Sequence, residues 1–236
     1  MGSIVFNGHD FGRYCSAEVV ANACVPGEVA GVAAPGRAGK MVTGVEPGVR
    51  VVRVRLRMLP GCVHGGGFAS TAREVAGWLA AEGPGVLVVY GEFECRGVVY
   101  TGCGSWSRVR GEESCEVEFI CYDPVMYGRM VEACDYEFSF GGNWRTLPVV
   151  AVVAEAGDGV CVWHEESGRF VRHVRGFAGG EVVEVDCDAG KVFVDGVEDE
   201  ACVDVESNFF WLSPGSNSFG LQGCDLKWVR FEEAWM

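Results

Sequence analysis

Between Arg50 and Met58 the chain alternates residue by residue. Val52, Val54, Leu56 and Met58 fall on one side of an extended strand, and Arg53, Arg55 and Arg57 fall on the other. The same period returns from Cys115 to Tyr122, where Cys115, Val117, Phe119 and Cys121 alternate with Glu116 and Glu118. It returns again where Val183, Val185 and Cys187 alternate with Glu184 and Asp186, the pattern of a sheet with one wet and one buried face. Shorter strands are expected at Ser3 to Gly8, closing on an Asn7-Gly8 turn, at Val86 to Tyr90 and at Gly97 to Thr101. One stretch has a helical period. Thr71 and Glu74 have capping-box spacing, Ala72, Val75, Ala76 and Leu79 share a face, and Gly83-Pro84 supplies a stop, which predicts a helix over about 71–82.

From Pro148 onward the pattern is all β. Strands are expected at Val149 to Ala154, Val160 to His164, Phe170 to Val174, Val182 to Cys187, Lys191 to Val194, Phe209 to Leu212, Ser218 to Gln222 and Leu226 to Phe231. The turns between them are rich in Gly and Asp, and short strands at this spacing predict an antiparallel sandwich. Pro26 to Gly48, rich in Gly, Ala and Pro, reads as a long exposed loop or hairpin. The Gly141-Gly142-Asn143 loop separates two series of strands, so a domain of 1–142 followed by one of 143–236 is expected. In the second, Trp211-Leu212-Ser213-Pro214-Gly215-Ser216-Asn217 reads as a late turn flanked by strands, with no catalytic group in it.

A length of 236 residues allows one large β domain or two smaller ones, and an apolar fraction of 49% is enough for real cores. The formal charge of −14 argues against gripping nucleic acid, because phosphate binding draws on clustered Lys and Arg. The 12 cysteines contain no C-x-x-C pair and several occupy apolar strand positions, so they read as reduced, mostly buried thiols of a cytoplasmic protein rather than disulfides or zinc knuckles. The Met1-Gly2-Ser3 start shows no secretory signal. No apolar run approaches the roughly 18 to 20 residues of a membrane helix, and membrane insertion is not expected.

Candidate chemistry is sparse. Val63-His64-Gly65-Gly66-Gly67 has the look of an esterase oxyanion element, yet no G-x-S-x-G nucleophile elbow accompanies it. Gly36-Arg37-Ala38-Gly39-Lys40-Met41 resembles a phosphate loop but lacks its first Gly and its Ser or Thr. His9, His64, His164 and His173 are scattered, and no carboxylate pair stands out, so no metal, cofactor or catalytic residue is expected. Arg53, Arg55 and Arg57 form a cationic strand face in an acidic chain, either solvated or meeting an acidic neighbour. The rings of the second domain, Trp163 and Trp211 among them, are either core and interface residues or platforms on which a sugar stacks.

Several pieces in order resemble the distal tail protein family of long-tailed bacteriophages. They are the opening Ile4-Val5-Phe6-Asn7-Gly8 with Phe11, the Gly36-Arg37-Ala38-Gly39 loop before a strand, the helix ending in Trp78-Leu79 and the run Cys121-Tyr122-Asp123-Pro124-Val125-Met126-Tyr127-Gly128. Asn143-Trp144-Arg145-Thr146-Leu147-Pro148 and Leu212-Ser213-Pro214-Gly215-Ser216-Asn217 follow. The resemblance implies a mainly β chain: an N-terminal β-sandwich or barrel-like domain with one α-helix, then a C-terminal galectin-like antiparallel β-sandwich. It implies a non-enzymatic tail-tip or baseplate component that forms a homo-oligomeric, hexameric ring between the major tail tube protein and the tail-associated hub or fibre protein. Receptor-binding proteins or a host glycan are further partners in that family, and DNA is only passing cargo. The implied location is the virion tail tip, assembled in the bacterial cytoplasm. Arg53, Arg55 and Arg57 are then candidate inter-subunit contacts, and Trp163 and Trp211 candidate partner or glycan contacts. The alternative function is a carbohydrate-binding module acting through the second sandwich.

Overall fold

The computed structural model describes residues 3–25, 27, 29–33, 35–36, 38–59, 67–109 and 112–236. The chain divides into two compact units, Met1–Met126 with Met236, and Tyr127–Trp235. Each is built from antiparallel strands, and the fold is mainly β, as its alternating sequence requires.

The first unit holds β1 (Val5–Phe6), β2 (His9–Asp10), β3 (Cys15–Cys24), β4 (Val29–Ala33), β5 (Lys40–Val45), β6 (Arg50–Met58), helix α1 (Phe68–Leu79), β7 (Gly85–Val89), β8 (Phe93–Cys103), β9 (Ser107–Val109) and β10 (Glu112–Cys121). One sheet runs β2-β1-β7-β8-β10-β6-β3, with β9 added to β10. β4 and β5 pair only with each other among the described residues, so Pro26 to Gly48 contains a hairpin.

The alternation of β6 is realised in its burial. Val52, Val54 and Leu56 are fully buried with Val117 and Phe119 of β10, while the arginines stay on the wet side. Phe6 meets Phe119 at 5.0 Å in this core. Helix α1 buries Val75 and Leu79, and its Trp78 stacks on Tyr14 at 5.4 Å. Arg50 enters the interior at 3% exposure, where its Nε donates to Pro124 O at 2.7 Å and its Nη1 to Asn22 Oδ1 at 2.7 Å. These bonds tie β6 to β3 and to the turn after β10.

The helix begins earlier than the capping-box spacing suggests. Its N-cap is Gly67, at φ 79°, with no side-chain cap bond. Thr71 is fully buried inside the helix, and Glu74 accepts a bond from the Tyr14 hydroxyl at 3.0 Å instead of reaching back to a cap. Tertiary packing has claimed both residues of the sequence signature.

The second unit holds β11 (Met126–Ala133) from its second residue onward, β12 (Glu137–Phe140), β13 (Val149–Ala154), β14 (Val160–His164), β15 (Arg169–His173), β16 (Val182–Asp186), β17 (Lys191–Val194), β18 (Val197–Glu198), β19 (Gly215–Gln222) and β20 (Cys224–Trp235). One sheet has the order β18-β17-β16-β13-β20-β11 and the other β12-β19-β14-β15. Val150, Val152, Val183, Val185, Val229 and Phe231 of the first are buried together with Val160, Val162, Val171 and Phe219 of the second. Phe138 and Phe140 of β12 reach Phe231 of β20 at 5.3 and 5.6 Å, which joins the two layers. This is the two-sheet solution to burying one apolar face per sheet.

Phe209 to Leu212 is not a strand. Its extended backbone makes one isolated bridge, in which Leu212 and Thr146 exchange bonds of 2.8 and 3.1 Å. Phe210 and Leu212 are fully buried and Trp211 between them is half-buried, so the two-residue period is genuine but arises without a ladder.

Candidate assembly surfaces

The arginine face of β6 is matched by carboxylates of the flanking strands. Arg53 meets Glu118 at 2.6 Å, Arg55 meets Glu116 at 2.6 Å and Arg57 meets Glu18 of β3 at 3.2 Å. Register explains the first two pairs, because Glu118 and Glu116 stand directly opposite Arg53 and Arg55. All six side chains are more than a third exposed. The face is therefore a charge-balanced, accessible ladder on which cations and anions alternate.

Trp163 on β14 donates its indole N–H to Glu165 Oε1 at 2.7 Å and lies over Gly220 of β19, where an added Cβ would overlap the ring. Trp211 holds the Arg169 guanidinium 4.0 Å from its ring centre and that of Arg145 at 5.1 Å. Arg169 is fixed further by its bond to Phe209 O at 3.1 Å. Both indoles are thus engaged by groups of their own chain, and a ligand stacking on Trp211 would compete with a guanidinium.

Two histidine clusters were not legible in the sequence. His164 is fully buried, with Nδ1 2.9 Å from Ser167 Oγ and Nε2 3.1 Å from Asn217 Oδ1 and 2.9 Å from Glu166 Oε2. Two acceptors, the Glu166 carboxylate and Asn217 Oδ1, face Nε2, so that nitrogen carries a proton. Ser, His and Glu in contact have the composition of a hydrolytic triad. Here the ring is closed in by Phe210 and Phe219, each 5.6 Å away, and Asn217 holds the Ser213-Pro214-Gly215 turn through both the oxygen and the nitrogen of its side-chain amide. The contacts lock the β14–β15 turn to the start of β19. Burial pushes the Glu166 carboxyl up, but donation from the Ser218 N–H and hydroxyl outweighs it and holds the group below its ordinary range.

His173 at the end of β15, Asp199 and Cys202 bring one nitrogen, one oxygen and one sulfur within 4.8 Å of one another. This is the nearest approach to a metal ligand set among the described residues. His173 Nε2 lies 3.2 Å from Asp199 O, to which it donates, and Arg175 sits 2.8 Å from the Asp199 carboxylate. A cation there would displace both, and the buried Nδ1 has no partner to fix the ring as a ligand. Burial lowers the His173 pKa despite the nearby carboxylate, which favours the neutral ring. Scattered positions 173, 199 and 202 gave no spacing signal; the fold alone collects them.

The thiols behave as packing groups. Cys15, Cys95, Cys115, Cys121, Cys161, Cys187 and Cys224 are buried and free, and burial pushes Cys15 to about 11 and Cys187 to about 12. The esterase-like Val63 to Gly66 lies outside the described residues, as does Arg37 of the phosphate-like loop. No helix is long and apolar enough to cross a membrane among the described residues.

Residues 141–235 match the family model of the siphovirus-type tail component, C-terminal domain. Among solved structures, the chain is similar to SPP1 Dit (gp 19.1), described as a paradigm of the hub adsorption apparatus in phages that infect Gram-positive bacteria. That match has a TM-score of 0.75 at 15% identity and covers 99% of both chains. Two structures of the phage p2 baseplate in its activated conformation, with Ca and with Sr, align with TM-scores of 0.45 and 0.41 at 6% and 7% identity. These cover 93% and 99% of this chain and 90% of each relative. No curated protein sequence matches. The resemblance to the distal tail proteins read from the sequence is borne out: residues 141–235 match the siphovirus-type tail component model, and the fold of the chain is similar to that of SPP1 Dit.

Proposed function

We propose that this protein is a structural hub of a phage or prophage tail tip or baseplate and works by assembly, not catalysis. Six copies form a ring that joins the tail tube protein to the tail-associated hub and host-adsorption proteins. Residues 1–142 form the ring and 143–236 face outward, at the virion tail tip, after assembly in the host cytoplasm. The observation that carries this reading is the fold shared with SPP1 Dit over 99% of both chains. The −14 charge supports a channel that repels passing DNA. Arg53, Arg55 and Arg57, accessible while paired, are offered as contacts between copies, where ion pairs can exchange partners across the interface.

A glycan-binding module acting through Trp163 and Trp211 has less support, because both indoles are engaged within the chain. Mass photometry and negative-stain imaging of the purified protein test the assembly reading. Hexameric rings are expected. Glycan-array binding that is abolished by Trp211→Ala with the fold retained, from a protein that stays monomeric, would replace it with the glycan reading.

A further inference from the structure

The arginines of the second unit fall into two groups. Arg129, Arg172, Arg175 and Arg230 each meet an Asp or Glu of their own unit, at 3.7, 3.5, 2.8 and 2.7 Å. Arg145 and Arg169 form no ion pair among the described residues, although the chain carries 33 acidic side chains against 19 basic ones. These two cations converge on one ring. Their guanidinium carbons lie 5.1 and 4.0 Å from the centre of the Trp211 indole, and that of Arg145 is also 5.8 Å from the Trp144 ring.

The backbone holds the group together. Thr146 and Leu212 form the isolated bridge and are buried, so their neighbours Arg145 and Trp211 are brought side by side with more exposure. Arg169 uses one donor on Phe209 O, and Arg145, which is exposed, makes no hydrogen bond among the described residues. A guanidinium has five N–H donors in a planar fork that matches a carboxylate, and resting over an indole orients it without using them. Two like charges beside one ring repel each other, and the ring offsets only part of that. An anion from outside the chain removes the rest.

We infer that Arg145, Arg169 and Trp211 form a docking site for an acidic segment of another protein, whose Asp or Glu carboxylates complete the two guanidiniums. The surroundings favour a peptide over a small free oxyanion. Leu147, one residue beyond the bridge, is 43% exposed, and Trp144 and Trp211 are each half-buried. A free anion on so open a surface stays hydrated and screened by salt, whereas a peptide also covers the leucine and the indole edges. Tryptophan and arginine side by side have the composition of an interface hot spot. Every residue of the site lies in the second unit, so the inference stands whether or not the chain forms rings.

Fluorescence anisotropy on the whole purified chain tests it, with a labelled peptide of alternating Glu and Ala as probe and the same peptide with Gln in place of Glu as control. The Glu peptide is expected to bind and the Gln peptide not. Arg145→Gln is expected to weaken binding about tenfold, the effect of losing one charge-assisted hydrogen bond. Its thermal unfolding should be unchanged, because the side chain is exposed and makes no hydrogen bond among the described residues. Arg169→Gln should weaken binding as well, and Arg172→Gln, which removes an arginine already paired with Asp204, should leave it intact. Failure of the Glu peptide to bind, equal binding of the Gln peptide, or an equal loss in Arg172→Gln overturns the inference. Displacement of the peptide by an equal concentration of inorganic phosphate would make this a site for any oxyanion and overturns it too. So does an oligomer that Arg145→Gln disperses, which assigns the site to a second copy.

Discussion

His164 and Asn217 meet in the interior of the second unit, with Nε2 3.1 Å from Oδ1, and each is fully buried. Asn217 also accepts from Ser213 N at 3.0 Å and donates to Ser213 O and Gly215 O at 2.9 and 3.1 Å. One amide therefore holds the turn that begins β19, and the imidazole ties that turn to the β14–β15 hairpin. Replacing Asn217 by Ala strands several of these partners away from water. The expected loss is about 2–4 kcal/mol, since each buried unsatisfied group costs on the order of 1–3. Urea unfolding checks it, and a variant as stable as the parent would show that water replaces the amide.

Trp163 and Gly220 form a pair whose coupling is measurable. A Cβ at position 220 overlaps the indole, so Gly220→Ala is expected to destabilise the fold by about 1–3 kcal/mol through forced displacement of the ring. With Trp163→Ala already present, the same change should cost much less. A double-mutant cycle reads the difference, and additive effects would mean that the indole does not occupy this place in solution.

The arginine ladder makes an opposite prediction. Arg53→Ala and Arg55→Ala each remove an accessible ion pair, so each should alter the stability of the isolated chain by less than about 1 kcal/mol. If these side chains contact neighbouring copies, the same variants should raise the concentration at which the oligomer dissociates. Sedimentation equilibrium separates the two effects.

Acidification should destabilise the second unit in two stages. The His173 pKa lies below its ordinary 6.5, burial being the main cause, opposed by Asp199 and reinforced by Arg175. The unfolded chain therefore binds a proton that the folded chain refuses, and stability falls as pH drops from about 6.5 toward the folded value. Glu166 and Asp199 have lowered pKa values as well: burial pushes both up, but Ser218 for one, and Arg175 and Cys202 for the other, outweigh it. Their contribution is present above the ordinary carboxylate range and is lost at lower pH. Thermal unfolding between pH 7 and 5 should lose part of its slope in His173→Gln, and an unchanged slope would assign it elsewhere.

Legibility followed the strength of the local pattern. β6 and β10 were readable because large apolar residues alternate strictly with charges. β3 was not, because Cys15-Ser16-Ala17-Glu18-Val19-Val20-Ala21-Asn22 mixes small, polar and apolar residues, and nearly all of its positions are half-buried with no alternation. The segment β11 was hidden for the same reason, with Gly128, Arg129 and Glu132 breaking its apolar run. Phe209 to Leu212 misled in the other direction, since buried Phe210 and Leu212 reproduce the period of a strand in an irregular segment. The histidine clusters depend on contacts such as His164 with Asn217, 53 positions apart, for which no single sequence carries a sign.

The central claim is assembly at the end of a tail, and a reconstruction of assembled particles tests it most directly. Cryo-electron microscopy of tails carrying this protein should show six copies in one ring at the tip of the tube, with tube subunits on one side and hub density on the other. Density for isolated copies hanging from fibres, or a tail tip without this chain, would contradict the account.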